Sequence, residues 1–361
     1  GGYLLQGGYG WNSRVLGPAC ESVLGLDVVT ADGERLHIDA EHHPELLWAA
    51  RGSGPGFFGV VTRFHLRVYP RPKVVANAAF LYPMEVLDDV FRWAHAIAPQ
   101  VARTMELMVL IHRDDAGEQE IVVTGPVLVD SEEEALAALA VLQTCPVLDR
   151  AKMAVPYVPV TMEDLYAGVT SAYPTGHRYA TDNMWTHADV EDLLPGLRRI
   201  AATMPDNRYS HMLWMNWGPG LTPAPERPDM VYSVEDDTYI AVYGVWPDAA
   251  DDDAGAAWVT DRMREMEPVA SGIQLADENL GRRPARFLSD ETAARLNAAR
   301  SAYDPLRRFR PGGRGLRPHP TCIPTWTGPW PSRTRRSWRR SPRRSTRPTR
   351  CAATTWTGCW T

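Results

Sequence analysis

Glycine is concentrated at the start of the chain, in the segment GGYLLQGGYGWNSRVLG. A residue without a Cβ lets the backbone approach another group closely and take a positive φ, which suits a loop whose amide N–H groups bind a diphosphate. Tight turns that bind no ligand are the alternative interpretation of such a segment. The glycines that could present bare amides in this way are Gly2, Gly7, Gly8 and Gly10.

Side chains that could move protons are concentrated between residues 209 and 217. This segment predicts a strand, and alternation then places Tyr209 and His211 on one face and Trp214 and Asn216 on the other. Histidine is a common general base, and tyrosine can act as one when a neighbouring cation lowers its pKa. The pattern does not select either face, and packing in a core or at its rim is the alternative role for each residue.

The elements around these residues predict an α+β chain. An apolar run at 23–30, the turn signal Ala31-Asp32-Gly33 and an alternating segment at 34–39 predict a hairpin. Residues 44–51 begin with Pro44 and predict a short helix. Further strands are predicted at 57–69, 74–81, 105–112, 120–129, 209–217, 230–234 and 238–243, and helices at 86–97, 131–142, 189–202, 254–266 and 290–302. Together they predict a mostly antiparallel sheet with helices packed on one side.

Composition limits the classes of function. Residues 1–305 carry 24 basic and 44 acidic side chains, a formal charge of −20, which argues against nucleic acid as the substrate of this part. No run of about 18 apolar residues exists, so no membrane span is predicted. Cys20 and Cys145 lie far apart without metal spacing, so neither a disulfide framework nor a metal site is predicted, and a cytoplasmic location is expected. The acidic cluster Asp248–Asp253 is interpreted as a solvated cap of the following helix.

Residues 311–361 differ from everything before them. They contain no valine, eleven arginines and five tryptophans, and they show no period of 2 or 3.6. Such a segment cannot bury a core, so a disordered tail is predicted. One interpretation is an arginine-rich, nucleic-acid-binding tail with interleaved tryptophans. The abrupt change in composition favours the other, an out-of-frame translation of GC-rich coding sequence.

Five short motifs follow one another within the first 72 residues, and three more stand near residue 300. They are GYLLQGGYGW (2–11), GPA (17–19), VVTADG (28–33), PELLWAARG (44–52) and FGVVT (58–62), then ARF (285–287), YDP (303–305) and RF (308–309). In this order the motifs resemble those of the FAD-linked oxidases of the vanillyl-alcohol oxidase and berberine-bridge-enzyme superfamily, whose FAD domain is of the PCMH type. The resemblance extends over about residues 1–310.

The resemblance implies a domain organisation and a cofactor. Residues 1–72 would be the second part of the FAD-binding domain, 73–285 the substrate domain, 286–310 a return segment and 311–361 the tail. In the family, another phosphate loop and a flavin-linked histidine precede the first of these motifs, so an amino-terminally truncated chain is expected and covalent flavin attachment is left open. The residues implied to contact FAD are Gly2, Gly7, Gly8, Gly10, Gly59, Val60 and Val61.

The resemblance also implies an activity, the oxidation of a small organic substrate by hydride transfer to flavin N5, with dioxygen as acceptor and no membrane or specific nucleic-acid partner. A non-catalytic remnant and nucleic-acid binding through the tail are the alternatives. Many members carry Tyr-x-Asn near the return segment, but residues 272–280 (GIQLADENL) contain no tyrosine. Asp277 and Glu278 are candidate substitutes, with an exposed acidic loop as the alternative. Candidates for lining the site are Tyr179, His211, Trp214, Asn216, Trp217, Tyr232 and Tyr243, of which Tyr179, His211, Asn216 and Tyr243 are the catalytic candidates.

Overall fold

Two antiparallel sheets form the framework of the part that the computed structural model describes, residues 1–216, 228–232 and 235–309. The strands are β1 (Val23–Val29), β2 (Arg35–Ile38), β3 (Val60–Leu66), β4 (Val74–Pro83), β5 (Met108–Arg113), β6 (Gln119–Thr124), β7 (Val127–Val129), β8 (Met153–Pro159), β9 (Arg178–Thr186), β10 (His211–Asn216) and β11 (Thr238–Trp246). The smaller sheet has the order β2-β1-β3. The larger sheet has the order β7-β4-β6-β5-β10-β11-β9, with β8 paired to β4.

Helices cover one face of the larger sheet. The α-helices are α1 (Gly2–Leu5), α2 (Ser13–Leu16), α3 (Pro44–Ala50), α4 (Leu87–Ile97), α5 (Glu132–Leu139), α6 (Met162–Ala172), α7 (Val190–Thr203), α8 (Asp252–Glu265) and α9 (Asp290–Tyr303). Apolar residues of α4, α7 and α8, such as Phe91, Leu197 and Val259, share one core with Trp214 and Ile240 of the sheet. The predicted α+β arrangement, with helices on one side of an antiparallel sheet, is therefore confirmed.

The smaller sheet is built on the predicted hairpin. β1 and β2 pair antiparallel from Leu26 opposite Ile38 to Val29 opposite Arg35. Gly33 takes a φ of 82° in the connecting turn, a conformation that glycine adopts without steric cost. The short helix α3 begins at Pro44, as predicted, because proline lacks only an N–H that the first helical turn does not use.

Three predicted segments differ from the structure. The predicted strand at 120–129 divides into β6 and β7 at Gly125-Pro126, because proline has no N–H for a ladder. The predicted strand at 230–234 is absent from the described residues 228–232, and positions 233–234 lie outside the described part. In the acidic cluster, Asp252 forms an ion pair with Arg178 at the start of α8, so this carboxylate is not simply solvated. The sequence also led to no prediction for β8, α6 and β9.

The described residues form two main apolar cores. The first core joins β1, β2, α3 and Phe58 to Ile273, Leu275 and residues of α9, so the segment after residue 272 returns to the amino-terminal part. The second core lies between the larger sheet and its helices. The predicted domain boundaries near 72 and 285 remain a prediction, and the predicted tail at 311–361 lies outside the described residues. No helix of the described residues has the length and apolar character needed to cross a membrane.

Candidate functional site

Strands β9, β10 and β11 present aromatic side chains on the face that the helices leave open. Alternation puts Trp185, Met215, Tyr239 and Tyr243 on this face, and they form a small core of their own. We call these four residues, three of which are aromatic, the aromatic face. Tyr239 pairs with Trp185 on one side and Met215 on the other, and the rings of Tyr239 and Trp185 are 5.1 Å apart.

Residues 272–280 cross the open side of β9 and are fixed there by Asn183. The Asn183 side-chain amide donates to the carbonyl oxygens of Gln274 at 2.9 Å and Asp277 at 2.7 Å, and its oxygen accepts from the Gln274 N–H at 2.7 Å. The backbone N–H of Trp185 also donates to the Gly272 carbonyl at 2.8 Å. Strand β9 therefore binds four backbone groups of this loop, including the carbonyl of Asp277 itself, and so positions Asp277.

Asp277 lies beside the aromatic face and is the carboxylate of the site. The hydroxyls of Tyr239 and Tyr243 donate to Asp277 Oδ2 at 2.7 and 3.0 Å. Asp277 Oδ1 accepts no hydrogen bond from any described residue. Burial raises the pKa of Asp277, and the two tyrosine hydroxyls oppose that rise. Burial, aided by the nearby Asp277 charge, raises the pKa of both tyrosines well above the usual value, so both remain protonated donors at neutral pH.

A second hydrogen-bonded group, centred on His211, adjoins Tyr243 at the start of β10. The His211 ring stacks on the Tyr243 ring at 4.5 Å between centroids. His211 Nδ1 lies 2.8 Å from the Tyr209 carbonyl, which can only accept, so Nε2 is the acceptor for the Tyr173 hydroxyl at 3.2 Å. Burial lowers the pKa of His211 to about 4, so the imidazole is neutral at pH 7.

The glycine segment approaches this site through Tyr9. Its ring packs edge-on against Trp185 at 5.6 Å, and the neighbouring Gln6 donates to the Leu275 carbonyl at 3.3 Å. Gly7 and Gly8 are buried with φ values of 105° and 76°. Their carbonyls accept from the N–H groups of Cys20 and Ala19, whereas neither glycine N–H has an acceptor among the described residues. The segment therefore presents two adjacent amide donors beside the aromatic face.

The loop at 52–56 adjoins the same segment. A Cβ on Gly7 would lie 2.9 Å from the Tyr232 ring, and one on Gly52 would lie 2.3 Å from Tyr232 Cβ, so both glycines pack against one tyrosine. Ser53 is buried, and its hydroxyl has no hydrogen-bond partner within the described part of the chain. Three unsatisfied donors, two amides and one hydroxyl, therefore belong to segments that meet at Tyr232.

The other predicted residues are distributed more widely. Gly2 begins α1, Gly10 precedes α2, and Gly59, Val60 and Val61 lie at the start of β3, where Val60 and Val61 pair with β1. Tyr179 is exposed and donates to the Pro174 carbonyl. Trp217 lies outside the described residues.

Trp214 and Asn216 lie on the opposite face of β10 from the aromatic residues. Trp214 packs edge-on against Phe91 of α4 at 5.9 Å, and Asn216 donates to the Thr238 hydroxyl at 2.9 Å. The structure thus brings His211, Tyr232 and Tyr243 to the site and directs Trp214 into the helix-covered core. Asp277, offered as a substitute base, lies at the site and not in an exposed loop.

A half-buried carboxylate, an aromatic sheet face and a glycine segment with free amides are compatible with a flavin-dependent oxidoreductase, and comparison with known proteins shows that class. No protein-family model matches the chain. FAD-linked oxidoreductase nodO of Hypoxylon pulicicidum is 30% identical over 319 residues, covering 86% of this chain and 68% of that protein. FAD-linked oxidoreductase ptmO of Penicillium ochrochloron is 31% identical over 310 residues, with the same coverage. The chain belongs to this family of FAD-linked oxidoreductases.

Solved structures show the same fold. Wild-type BBE-like 1 of Physcomitrella patens aligns with a TM-score of 0.70 at 16% identity, covering 88% of this chain and 70% of that one. The 6-hydroxy-D-nicotine oxidase of Arthrobacter nicotinovorans aligns with a TM-score of 0.67 at 20% identity, covering 86% and 69%. The berberine bridge enzyme of Eschscholzia californica aligns with a TM-score of 0.67. The resemblance inferred from the sequence motifs is confirmed, and FAD is the cofactor of the family.

The geometry of this chain, taken without its relatives, is compatible with a bound flavin. The free N–H groups of Gly7 and Gly8 and the unpartnered Ser53 hydroxyl are donors of the kind that bind the polar edge of a flavin or a phosphate oxygen. The aromatic face supplies an apolar surface beside them. These donors would hold the cofactor, which supplies a two-electron acceptor when bound.

Sequence reasoning missed Asn183, Tyr239 and Tyr173, which fix or contact the site residues. The only local sign was the pattern of β9, RYATDNMWT, in which polar and aromatic residues share a face that an ordinary core would fill with aliphatic ones. Asn183 and Asp182 are fully buried, and buried polar side chains require partners that the local sequence does not show.

Proposed function

We propose that this protein oxidises a small organic substrate with FAD as hydride acceptor and Asp277 as the base that receives the substrate proton. The observation that carries this proposal is the asymmetry of the Asp277 carboxylate, whose Oδ2 accepts from two tyrosines while Oδ1 accepts from no described residue. A general base needs an accessible lone pair and a pKa near the working pH, and burial raises the pKa of Asp277 in that direction.

The protein's own groups would act as follows. Asp277 Oδ1 accepts the proton of a substrate O–H or N–H group, while the carbon that bears this group loses a hydride, so that the substrate is oxidised by two electrons. Tyr239 and Tyr243 keep the carboxylate oriented and remain protonated, because their pKa values are raised. The flavin supplies the hydride acceptor at N5. Dioxygen is the proposed final acceptor, with hydrogen peroxide as its product.

Cofactor binding is proposed to use the amides of Gly7 and Gly8 and the Ser53 hydroxyl, together with the predicted strand residues Gly59, Val60 and Val61. The support is the buried and unsatisfied character of the first three donors. Gly2 and Gly10 remain predicted contacts.

Titrating the purified chain with FAD tests this binding, with flavin absorbance and quenching of flavin fluorescence as readouts. Gly8→Ala is expected to weaken binding, because the new Cβ would lie 2.5 Å from the Tyr3 carbonyl oxygen at a φ of 76°. Gly168→Ala is the matched control, since a Cβ there meets no atom within 4 Å. A wild-type chain that gains no flavin on titration would support the remnant hypothesis instead.

The base is tested by Asp277→Asn with Glu278→Gln as the neighbouring control. A panel of alcohols, amines and sugars is screened first for anaerobic bleaching of the flavin and for peroxide formation in air. Asp277→Asn is expected to slow bleaching by about 10²–10⁴-fold without loss of bound flavin. The acid limb of the wild-type rate profile should lie above the usual range of an aspartate. Equal losses in both variants would contradict the assignment.

A further inference from the structure

Three strands of the smaller sheet bring a carboxylate and two imidazoles together on one face. Asp27 comes from β1, His37 from β2 and His65 from β3. His37 Nδ1 lies 2.8 Å and His65 Nε2 lies 3.1 Å from the same oxygen, Asp27 Oδ1. Among the described residues this is the one group of three His, Cys, Asp or Glu side chains whose ligand atoms all lie within 4.8 Å of one another.

The sheet register fixes this juxtaposition. Asp27 stands directly opposite His37 in the β1–β2 ladder. In the β1–β3 ladder, Asp27 stands opposite Arg63, and the register brings His65 opposite Gly25, two residues from Asp27 on the same face. A Cβ on Gly25 would lie 3.4 Å from Asp39 Cβ and 3.7 Å from the His37 ring, so this glycine packs against the same group. The imidazoles of His37 and His65 meet edge-to-face at 5.0 Å. All three ligands are thus carried by paired strands and not by loops.

We propose that Asp27, His37 and His65 form a binding site for Zn²⁺, with water completing the coordination. Imidazole nitrogen and carboxylate oxygen are zinc ligands at about 2.0–2.2 Å, and three protein ligands with one open position are a common arrangement. Two ligands of a tetrahedral zinc are roughly 3.3 Å apart at such bond lengths. The observed separations from Asp27 Oδ1 are close to this value, so a small outward shift exchanges two hydrogen bonds for two metal bonds.

A second carboxylate supports the assignment from outside the ligand set. Asp39 Oδ2 lies 3.3 Å from His37 Nε2, the ring nitrogen that faces away from Asp27. Metal-bound histidines usually donate their other N–H to such a carboxylate, which fixes the ring and makes it a better ligand. Asp39 is itself held in place by the N–H groups of His42 and Glu41, which donate to its Oδ1 at 2.7 and 2.9 Å.

The charges around the site suit a divalent cation. Asp27 and Asp39 are anionic, and both imidazoles are neutral once they bind a metal. Arg63 Nη1 lies 3.5 Å from Asp27 Oδ2, but its side chain is 70% exposed and can turn into solvent when a cation replaces it. The imidazoles favour Zn²⁺ over Mg²⁺ or Ca²⁺, which take oxygen ligands.

The test is a titration of the full chain with Zn²⁺, in competition with a chromophoric chelator, in wild type and variants. His65→Ala should weaken Zn²⁺ binding more than Asp39→Asn, for which about 10–100-fold is expected. His187→Ala is the matched control, because His187 is also an exposed histidine bonded to a single aspartate, Asp236, at 2.8 Å. Mg²⁺ should not compete.

The visible spectrum of bound Co²⁺ separates this site from any thiolate site in the chain. Nitrogen and oxygen ligands give d–d bands without the thiolate charge-transfer band, and His65→Ala should remove those bands. The proposal is overturned if wild type, His65→Ala and His187→Ala bind Zn²⁺ equally, or if the Co²⁺ spectrum is that of a thiolate site. Circular dichroism of each variant establishes that the hairpin has kept its fold.

Discussion

Replacing Arg283 with methionine tests whether a buried ion pair holds the segment that carries Asp277 onto β9. The Arg283 guanidinium donates to both oxygens of Asp182, at 2.8 Å from Nε and 2.5 Å from Nη2, and to the Asn183 carbonyl at 2.8 Å. The two charged side chains are only 4% and 1% exposed. Methionine keeps much of the apolar volume of arginine, so the substitution removes the charge and the three donors but leaves most of the packing.

The expected cost follows from what Asp182 would retain. Removing one partner of a buried pair costs about 3–5 kcal/mol, because the other charge stays buried and uncompensated. Asp182 would keep donors from the Asn183 N–H at 2.8 Å and the Asn279 amide at 3.1 Å, so we expect the lower end, about 3 kcal/mol. Arg282→Met is the matched control: Arg282 is half exposed, its nearest carboxylate, Asp253, is 4.0 Å away, and such pairs contribute about 0–1 kcal/mol.

Urea denaturation followed by tryptophan fluorescence measures these differences. Adding Asp182→Asn to Arg283→Met removes the uncompensated charge and should restore part of the lost free energy of unfolding. The double variant therefore distinguishes a charge effect from loss of packing. If Arg283→Met costs no more than Arg282→Met, or if the second substitution makes the loss larger, the ion pair does not hold this segment.

Two further predictions concern pH and packing. His211 should make the protein less stable as the pH falls from about 6.5, where the unfolded histidine takes up a proton, to about 4, where the folded one does, with a slope of up to about 1.4 kcal/mol per pH unit. His211→Gln should flatten this slope in acid-denaturation curves, whereas the exposed His187→Gln should not. Gly255→Ala should cost about 1–3 kcal/mol in thermal unfolding, because its Cβ would lie 2.3 Å from the Trp246 ring. Gly168→Ala in α6 should be neutral or stabilising by up to about 1 kcal/mol.

The parts of the fold that the sequence predicts well are those with local signals. The β1–β2 hairpin follows from a turn signal between alternating segments, and α3 and α5 follow from Pro44 and from the Ser131 cap, whose hydroxyl accepts from the Glu134 N–H at 3.2 Å. The conformation of the glycine segment also follows from a local signal, because glycine is the residue that readily adopts the positive φ values found at Gly7 and Gly8.

Strand β9 shows why the rest could not be predicted. Its sequence places Asp182 and Asn183 in the middle of the strand, and these two residue types lower strand propensity. Both polar side chains are buried because Gln274, Asp277 and Arg283 satisfy them from about 90 to 100 residues away. The cluster of Asp27, His37 and His65 could not be predicted for the same reason. Its sequence spacing matches no metal motif, and the three side chains come together only when the strands pair.

The choice between Asp277 and a tyrosine as the base depends on the direction of two hydrogen bonds. For Tyr243 to accept a substrate proton, its hydroxyl would first have to lose the proton that it donates to Asp277 Oδ2. That loss would place a phenolate beside a carboxylate in a buried site without a described cation in contact, and burial and the Asp277 charge both raise the pKa of Tyr243. Asp277 needs no such step, because a carboxylate that already accepts two hydrogen bonds on one oxygen can accept a proton on the other. The absence of a tyrosine from residues 272–280 is therefore compatible with base catalysis by a carboxylate, with the neighbouring tyrosines as its donors.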